Sequence, residues 1–276
     1  MTDSEEIKMQ LPVCDIPKIS LNNLSKGSIT WDNARKIGKN AASIINRKRF
    51  LRQRLGPVEE AEVARVFERA VLNSSSVLCS MLWGIGTKLT CGHPEKAALH
   101  QLMLLEAAVR NEWSAGLKIS MVFADVHARV NKISEKTIGT YFKRVKALLE
   151  DFVMLNTELV LLSDLWSAEN KTMEDITPRI AILDKLNMKS SLLFITKNAA
   201  KRYHGEDIYK GALEYIATRL IDKEVLTHHY PNSLHLTYNN PKTMSFVQPN
   251  TPVLYVWSIH QGVSRAPWFS ENEENS

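Results

Sequence analysis

The sequence predicts an α/β protein with a Rossmann-like parallel sheet, flanking helices and a helical N-terminal extension. The first observation is a β-α-β pattern between Val77 and Asn131, which reads VLCSMLWGIGTK, then PEKAALHQLMLLEAAVRN, then GLKISMVFADVHARVN. Its two strand candidates are continuous apolar runs, as is typical of parallel strands that are buried on both faces. The second observation is that a further helix and the strand Glu158 to Leu162 repeat this spacing.

The N-terminal part is predicted to be a loose arm followed by two helices. Residues 1–30 contain two prolines and a glycine and show no sustained hydrophobic period. From Trp31 to Leu55, apolar residues fall near one face of a predicted helix, and basic residues fill most of the rest. Gly56 and Pro57 end this helix, and Pro57 opens a second helix that has acids in its first turn and runs to about Leu72.

After the β-α-β unit, the sequence predicts further helices and strands. In order, these are a helix from Ser134 to Phe152, the strand Glu158 to Leu162, helices Arg179 to Leu186 and Gly205 to Thr227, and strands Ser233 to Tyr238 and Val253 to Ile259. Ser134 is the expected N-cap of the first of these helices. Residues 31–269 are therefore expected to form one domain, and residues 270–276 a disordered acidic tail.

The excess positive charge of the chain lies in one segment. The net charge is +5, from 35 basic and 30 acidic residues. Between Asn33 and Val58 there is no acid, and the basic residues there are Arg35, Lys36, Lys39, Arg47, Lys48, Arg49, Arg52 and Arg54. Such a concentration favours a phosphate-rich partner such as RNA, which we expect Arg47, Lys48, Arg49, Arg52 and Arg54 to bind. The alternative is a solvated helix face.

Composition argues against several other classes of protein. The three cysteines, Cys14, Cys79 and Cys91, have no CxxC spacing, which disfavours a disulfide framework or a structural zinc site and favours a reducing compartment. No apolar run approaches the ~18 residues that span a bilayer. The polar, acidic N-terminus does not resemble a secretory signal. We therefore expect a cytoplasmic protein that uses no metal, no cofactor and no membrane.

Ligands of parallel α/β sheets bind where the strands end, so the residues that follow each predicted strand are candidates for a site. The first strand is followed by Gly84, Gly86, Thr87 and Lys88. The glycines allow backbone N–H groups to approach a ligand, and the next two residues add a hydroxyl group and a charge. The segment is neither a GxGxxG fingerprint nor a Walker P-loop. The alternative is a tight turn that binds nothing.

An acid, an imidazole and an amide follow the second predicted strand. Asp125, His127 and Asn131 can together bind a polar substrate or transfer a proton. The alternative is that the acid caps a turn and the histidine is structural. The remaining substrate-binding candidates are Asp164 and Trp166 after the third strand and Tyr215 on the late helix.

The segment FADVHARVN and the helix after it, which contains Tyr141, resemble class I tyrosyl- and tryptophanyl-tRNA synthetases, which often read A-D-x-H-A at the second strand. The resemblance covers about residues 77–166. Those enzymes bind ATP through HIGH and KMSKS motifs, which only Gly92-His93 and Lys242 to Ser245 echo in this sequence. The resemblance therefore does not imply amino-acid activation by ATP.

Length, strand order, the basic helix and the closing VLYVWSIHQG are similar to the tRNA-dependent cyclodipeptide synthases. This resemblance implies an aminoacyl transferase that needs no cofactor and joins two aminoacyl groups from aminoacyl-tRNA into a cyclic dipeptide. It implies Asp125 and His127 for amine binding and proton transfer, and Thr87 near the reacting ester. The bacterial branch uses a serine after the first strand, where this sequence reads Gly84-Ile85-Gly86-Thr87.

Two alternatives stay open. The elements PEKAAL, AGLKISMVFAD and SIHQG also resemble the layout of isocyanide synthases, which act on an amino acid and a sugar phosphate. The other alternative is a non-catalytic tRNA-binding protein built on a synthetase-like domain.

Overall fold

A five-stranded parallel sheet forms the centre of the computed structural model, which describes residues 29–85, 89–185, 203–239, 241 and 245–257. The strands are β1 (Val77–Trp83), β2 (Leu117–Phe123), β3 (Thr157–Leu161), β4 (Leu234–Thr237) and β5 (Val253–Tyr255). Their order across the sheet is β3-β2-β1-β4-β5. The chain thus builds outward from β1 to β3 and then returns to the other side of β1, so the winding direction changes between β1 and β4.

Helices cover both faces of this sheet. They are α1 (Trp31–Ile45), α2 (Pro57–Leu72), α3 (His93–Arg110), α4 (Asp125–Val130), α5 (Glu135–Glu150), α6 (Leu162–Ala168), α7 (Ile176–Lys185) and α8 (Ile208–His229). Two 3-10 turns, Met173–Asp175 and Ser245–Val247, complete the described elements. The predicted α/β Rossmann-like fold with flanking helices is confirmed.

Alternate side chains of β1 enter different hydrophobic cores. Val77 and Met81 of β1 pack in a core with α1, α2, α3 and α5, whereas Leu78 and Leu82 pack against a second core that contains α6, α7 and α8. Because both faces of the strand are covered, both sets of positions must be apolar. The run VLCSMLW, which is apolar except for the buried Ser80, follows from this arrangement.

The first helix is shorter than predicted. It ends at Ile45 rather than Leu55 because the side chain of Asn46 closes the chain back on itself. Asn46 Oδ1 accepts the Leu55 backbone N–H at 2.7 Å, and its Nδ2 donates to Glu60 at 2.6 Å. Residues 47–54, which we call the basic turn, are therefore a loop and not a helix face.

The basic turn packs against the edge strand β5. Leu51 forms an antiparallel bridge with Val256, the Arg52 N–H donates to Tyr255 O at 2.8 Å, and the Trp257 N–H donates to Phe50 O at 3.0 Å. Phe50 and Leu51 are buried in the core between the sheet and the helices. The N-terminal extension is thus a structural part of the sheet's edge.

Several predicted elements match closely, and others lie outside the described residues. The second helix runs from Pro57 to Leu72 as predicted, and Ser134 caps α5 by accepting the Thr137 N–H at 3.3 Å. Residues 1–28 of the predicted arm and all of the predicted tail 270–276 are outside. Within the part that the structure describes, no helix has the length and apolar character needed to cross a bilayer.

Candidate active site

A small cavity lies where β1, β2 and β4 end. Its volume is about 50 Å³, and its lining includes Gly84 after β1, His127 in α4 and Asn239 after β4. This is the point at which the winding direction of the sheet changes, and ligands of open α/β sheets bind at such points. Of the predicted site residues, the cavity brings together Gly84, His127, Asn131 and Tyr215.

A buried carboxylate holds the imidazole of His127 in this cavity. His127 Nε2 lies 2.5 Å from Asp222 Oδ2, and Trp166 Nε1 donates to Asp222 Oδ1 at 3.0 Å. Asp222 is 0% exposed, whereas the His127 side chain is 10% exposed. Because a carboxylate only accepts hydrogen bonds, Nε2 is the donor in this contact, and Nδ1 is the ring nitrogen that can accept a proton when the imidazole is neutral. This orientation suits a proton acceptor.

A second basic group lines the cavity beside His127. Arg219 Nη1 is 3.7 Å from Asp222 Oδ2, and the arginine side chain is 7% exposed. The ring of Tyr215 lies edge-on to the ring of His127, with centroids 5.4 Å apart. Tyr215, Arg219 and Asp222 fall on one face of α8 because they are spaced by four and three residues.

Asp125 is placed differently from its neighbours in the sequence. It is the first residue of α4 and is 1% exposed. Its Oδ2 accepts from Arg129 Nη1 at 2.6 Å, and its Oδ1 accepts the Ser163 N–H at 3.1 Å. Both carboxylate oxygens therefore join the segments that follow β2 and β3. The carboxylate next to His127 is Asp222, which sequence reasoning missed.

The other predicted site residues are spread out. Asp164 is exposed in the first turn of α6, and the Trp166 side chain is buried behind the cavity as a donor to Asp222. Gly86, Thr87 and Lys88 lie outside the described residues. Among the described residues, no group of three histidine, cysteine or acidic side chains is arranged to hold a metal ion.

A second buried polar network lies at the end of β1. Trp83 Nε1 donates to Tyr141 Oη at 3.2 Å, and the Tyr141 hydroxyl is 3.2 Å from Glu95 Oε1. Burial, and then the charge of Glu95, raises the pKa of the Tyr141 hydroxyl. Glu95 also accepts the Gly92 N–H at 2.8 Å and so caps α3. These contacts fix the start of α3 against the sheet.

His235 on β4 is a neutral buried histidine. Its Nδ1 is 3.0 Å from Ser80 Oγ on β1. Burial, followed by the charge of Arg219, lowers the pKa of His235 to about 3. The positive charge of Arg219 therefore acts on His235 of β4 as well as on the cavity.

The basic turn lies at the C-terminal ends of the strands, as the cavity does. It contacts Tyr255, Val256 and Trp257, which end or follow β5. Because all strands of the sheet are parallel, the C-terminal ends of β5 and of β1, β2 and β4 lie on the same side of the sheet. The Arg52 guanidinium stacks over the Tyr255 ring at 4.7 Å. Four of its five cations, Arg47, Lys48, Arg49 and Arg54, are exposed, and none of the five forms an ion pair with another described residue.

Comparison with known proteins identifies the fold. No protein-family model and no curated protein sequence matches this chain. Among solved structures, PvcA from Pseudomonas aeruginosa superposes with a TM-score of 0.58 at 12% identity, over 84% of this chain and 87% of PvcA. The chain shares its fold with PvcA.

Two synthetase structures are also similar at a lower level. The tyrosyl-tRNA synthetase of Archaeoglobus fulgidus, solved with L-tyrosine, gives a TM-score of 0.46 at 12% identity, over 76% of this chain and 58% of that one. The Leishmania major enzyme, solved with tyrosinol, gives 0.45 at 10% identity, over 80% and 29%.

Proposed function

We propose that this protein is a tRNA-dependent aminoacyl transferase that joins two aminoacyl groups into a cyclic dipeptide. The observation that carries the proposal is that the basic turn and the His127 cavity both lie at the C-terminal ends of the strands. β5 is two strands away from β1, which is about 10 Å across the sheet. A polyanion bound at the basic turn thus has its end near the cavity. Such a reaction implies a cytoplasmic protein.

His127 supplies the proton transfer in this proposal. In each step, the amine nitrogen of one aminoacyl group attacks the ester carbon of the other, and the bond from that carbon to the tRNA ribose oxygen breaks. His127 Nδ1 takes the proton from the amine and returns it to the ribose oxygen, while Asp222 stabilises the imidazolium. Two such steps close the ring and release two tRNA molecules. The ester bonds supply the driving force, so positioning is the main task of the protein.

The first experiment measures tRNA binding. Wild-type protein is titrated with bulk bacterial tRNA at several salt concentrations. The variant carries Arg47→Gln, Lys48→Gln and Arg49→Gln, which should weaken binding and reduce the salt slope by roughly one unit for each lost phosphate contact. The control removes the same charge from α5, by Lys136→Gln, Lys143→Gln and Lys146→Gln. Equal binding by wild type and the basic-turn variant would remove the basis for the proposal.

The second experiment identifies the product. The protein is expressed in a bacterial host, and small molecules in the medium are compared by mass spectrometry with those from the variants His127→Gln and Asp222→Asn. A cyclic dipeptide that is lost with His127→Gln and strongly reduced with Asp222→Asn is the expected result. Salt-sensitive tRNA binding without a dipeptide would indicate a non-catalytic tRNA-binding protein. Turnover only with an amino acid and a sugar phosphate would indicate an isocyanide synthase.

A further inference from the structure

The guanidinium of Arg219 has unused donors that open onto the cavity. Among the described residues its ion-pair partner is Asp222, whose Oδ2 lies 3.7 Å from Arg219 Nη1, beyond hydrogen-bond distance. That oxygen is already 2.5 Å from His127 Nε2, and the other oxygen accepts from Trp166 at 3.0 Å. A guanidinium carries five N–H donors, and buried donors in native proteins are nearly always paired. A ligand in the cavity is in position to accept from them.

The polar part of the cavity lining is basic or neutral, and the rest of the lining is apolar. Its polar side chains, within the described residues, are His127, Asn131, Tyr215, Arg219 and Asn239. None of these is acidic, and the carboxylate of Asp222, which contacts His127 and Arg219, does not line the cavity, so an ammonium group placed there would face the cation of Arg219 directly. A carboxylate would instead receive two parallel hydrogen bonds from the fork of the guanidinium. The volume of about 50 Å³ also suits a group of a few heavy atoms.

We propose that Arg219 binds a carboxylate group of the substrate, with Asn131, Asn239 and Tyr215 as further donors in reach of the same cavity. One source of this carboxylate is the side chain of an acidic aminoacyl group. This source rests on the proposed function, because the α-carboxyl group of an aminoacyl-tRNA is esterified and only a side-chain carboxylate is free. The other source is the α-carboxylate of a free amino acid. Arg219 is then a specificity-determining residue, and the proposed product of the first source contains aspartate or glutamate.

Binding of small probes separates these sources without tRNA. The α-methyl esters of L-aspartate and L-glutamate carry only the side-chain carboxylate, L-leucine carries only the α-carboxylate, and L-leucine methyl ester carries neither. Each probe is titrated into full-length protein by calorimetry. Arg219→Gln should weaken the carboxylate probes by about tenfold or more, since hydrogen bonds to charged groups are of this strength. The control Lys223→Gln, one turn further along α8, should leave them unchanged.

Each outcome of the titrations supports or overturns the binding of a carboxylate by Arg219. Binding of the aspartate or glutamate ester that Arg219→Gln weakens supports the acidic aminoacyl source. Binding of leucine but not of the esters supports Arg219 as a carboxylate site and contradicts the tRNA-dependent function. Binding of leucine methyl ester alone, no binding of any carboxylate at high millimolar concentration, or equal binding by the variant would overturn the assignment.

A substitution that keeps the charge covers the case in which Arg219→Gln does not fold. Arg219→Lys retains a cation but loses the bidentate fork, and it should weaken the carboxylate probes severalfold. Folding of each variant is checked by circular dichroism before titration. An unchanged affinity in a folded Arg219→Lys variant overturns the two-point contact with the carboxylate.

Discussion

Replacing Asp222 with asparagine tests whether this carboxylate holds the candidate site together. The amide keeps an acceptor for Trp166 Nε1 but loses the negative charge that His127 and Arg219 share. Loss of a charge-assisted hydrogen bond costs about 1.5–3 kcal/mol. Breaking a fully buried ion pair costs about 3–5 kcal/mol, but Arg219 is 3.7 Å away and faces a cavity, so only part of this applies. We expect a total loss of about 2–4 kcal/mol.

The assay is urea unfolding followed by circular dichroism, with an unchanged m-value as the sign that only stability has changed. The matched control is Glu224→Gln on the same helix. Glu224 is exposed and pairs with Arg179 at 2.6 Å, so its replacement should cost less than about 1 kcal/mol. If Asp222→Asn unfolds within about 0.5 kcal/mol of wild type, the buried network does not contribute as its geometry implies.

A double-mutant cycle separates the two partners of Asp222. Arg219→Met removes the cation, so the double variant with Asp222→Asn no longer buries an uncompensated charge. We expect the double variant to lose less stability than the sum of the single losses, by about 0.5–3 kcal/mol. Strict additivity would mean that Arg219 and Asp222 do not interact at 3.7 Å.

Three further predictions concern stability. His235 has a pKa of about 3 in the folded protein and an ordinary one when unfolded, so the unfolded state takes up a proton first. Stability should therefore fall as the pH drops from about 6.5 towards 3. In urea unfolding, His235→Asn should reduce the slope of stability against pH by up to about 1.4 kcal/mol per pH unit. Identical slopes for the variant and the wild type would refute the assignment of this slope to His235. Asp125→Asn should lower the free energy of unfolding by about 1.5–3 kcal/mol, because the buried carboxylate loses its charge-assisted hydrogen bond from the partly exposed Arg129, and an unchanged melting curve would show that the contact is dispensable. Gly38→Ala would place Cβ 2.6 Å from Ala64 O and should destabilise the protein by about 1–3 kcal/mol. Gly139→Ala adds a Cβ that meets no atom within 4 Å, so it should stabilise the protein by up to about 1 kcal/mol. Changes in unfolding free energy of the same sign for both variants would contradict these two predictions.

The central unit was predictable because both of its signals are local. The run VLCSMLW is apolar except for Ser80 because its side chains enter two cores, and the pattern of α3 repeats with helical period. The end of α1 was not predictable in the same way. It depends on Asn46 closing onto Leu55 and on Leu51 meeting Val256, which is a contact between residues about 200 positions apart in the chain.

The candidate site was only partly predictable for a related reason. Strand ends point to the neighbourhood of His127, but its carboxylate partner comes from α8, almost 100 residues later. Along that helix, Arg219 and Asp222 read as ordinary surface charges. The available signal was their spacing from Tyr215, which puts all three on one face of the helix. Asp125 was the nearer acid in sequence, but its oxygens are occupied by Arg129 and the Ser163 N–H.

The bridge between Leu51 and Val256 has a consequence for synthesis of the protein. The ribosome makes the basic turn early, whereas β5, against which it packs, is made about 200 residues later. Domains fold as units and nonlocal contacts form late. Until β5 has emerged, Phe50 and Leu51 lack part of their final cover, and the basic turn lacks its backbone contacts with Tyr255, Val256 and Trp257. A nascent chain thus completes the arrangement of the basic turn only when β5, the last described strand of the sheet, is in place.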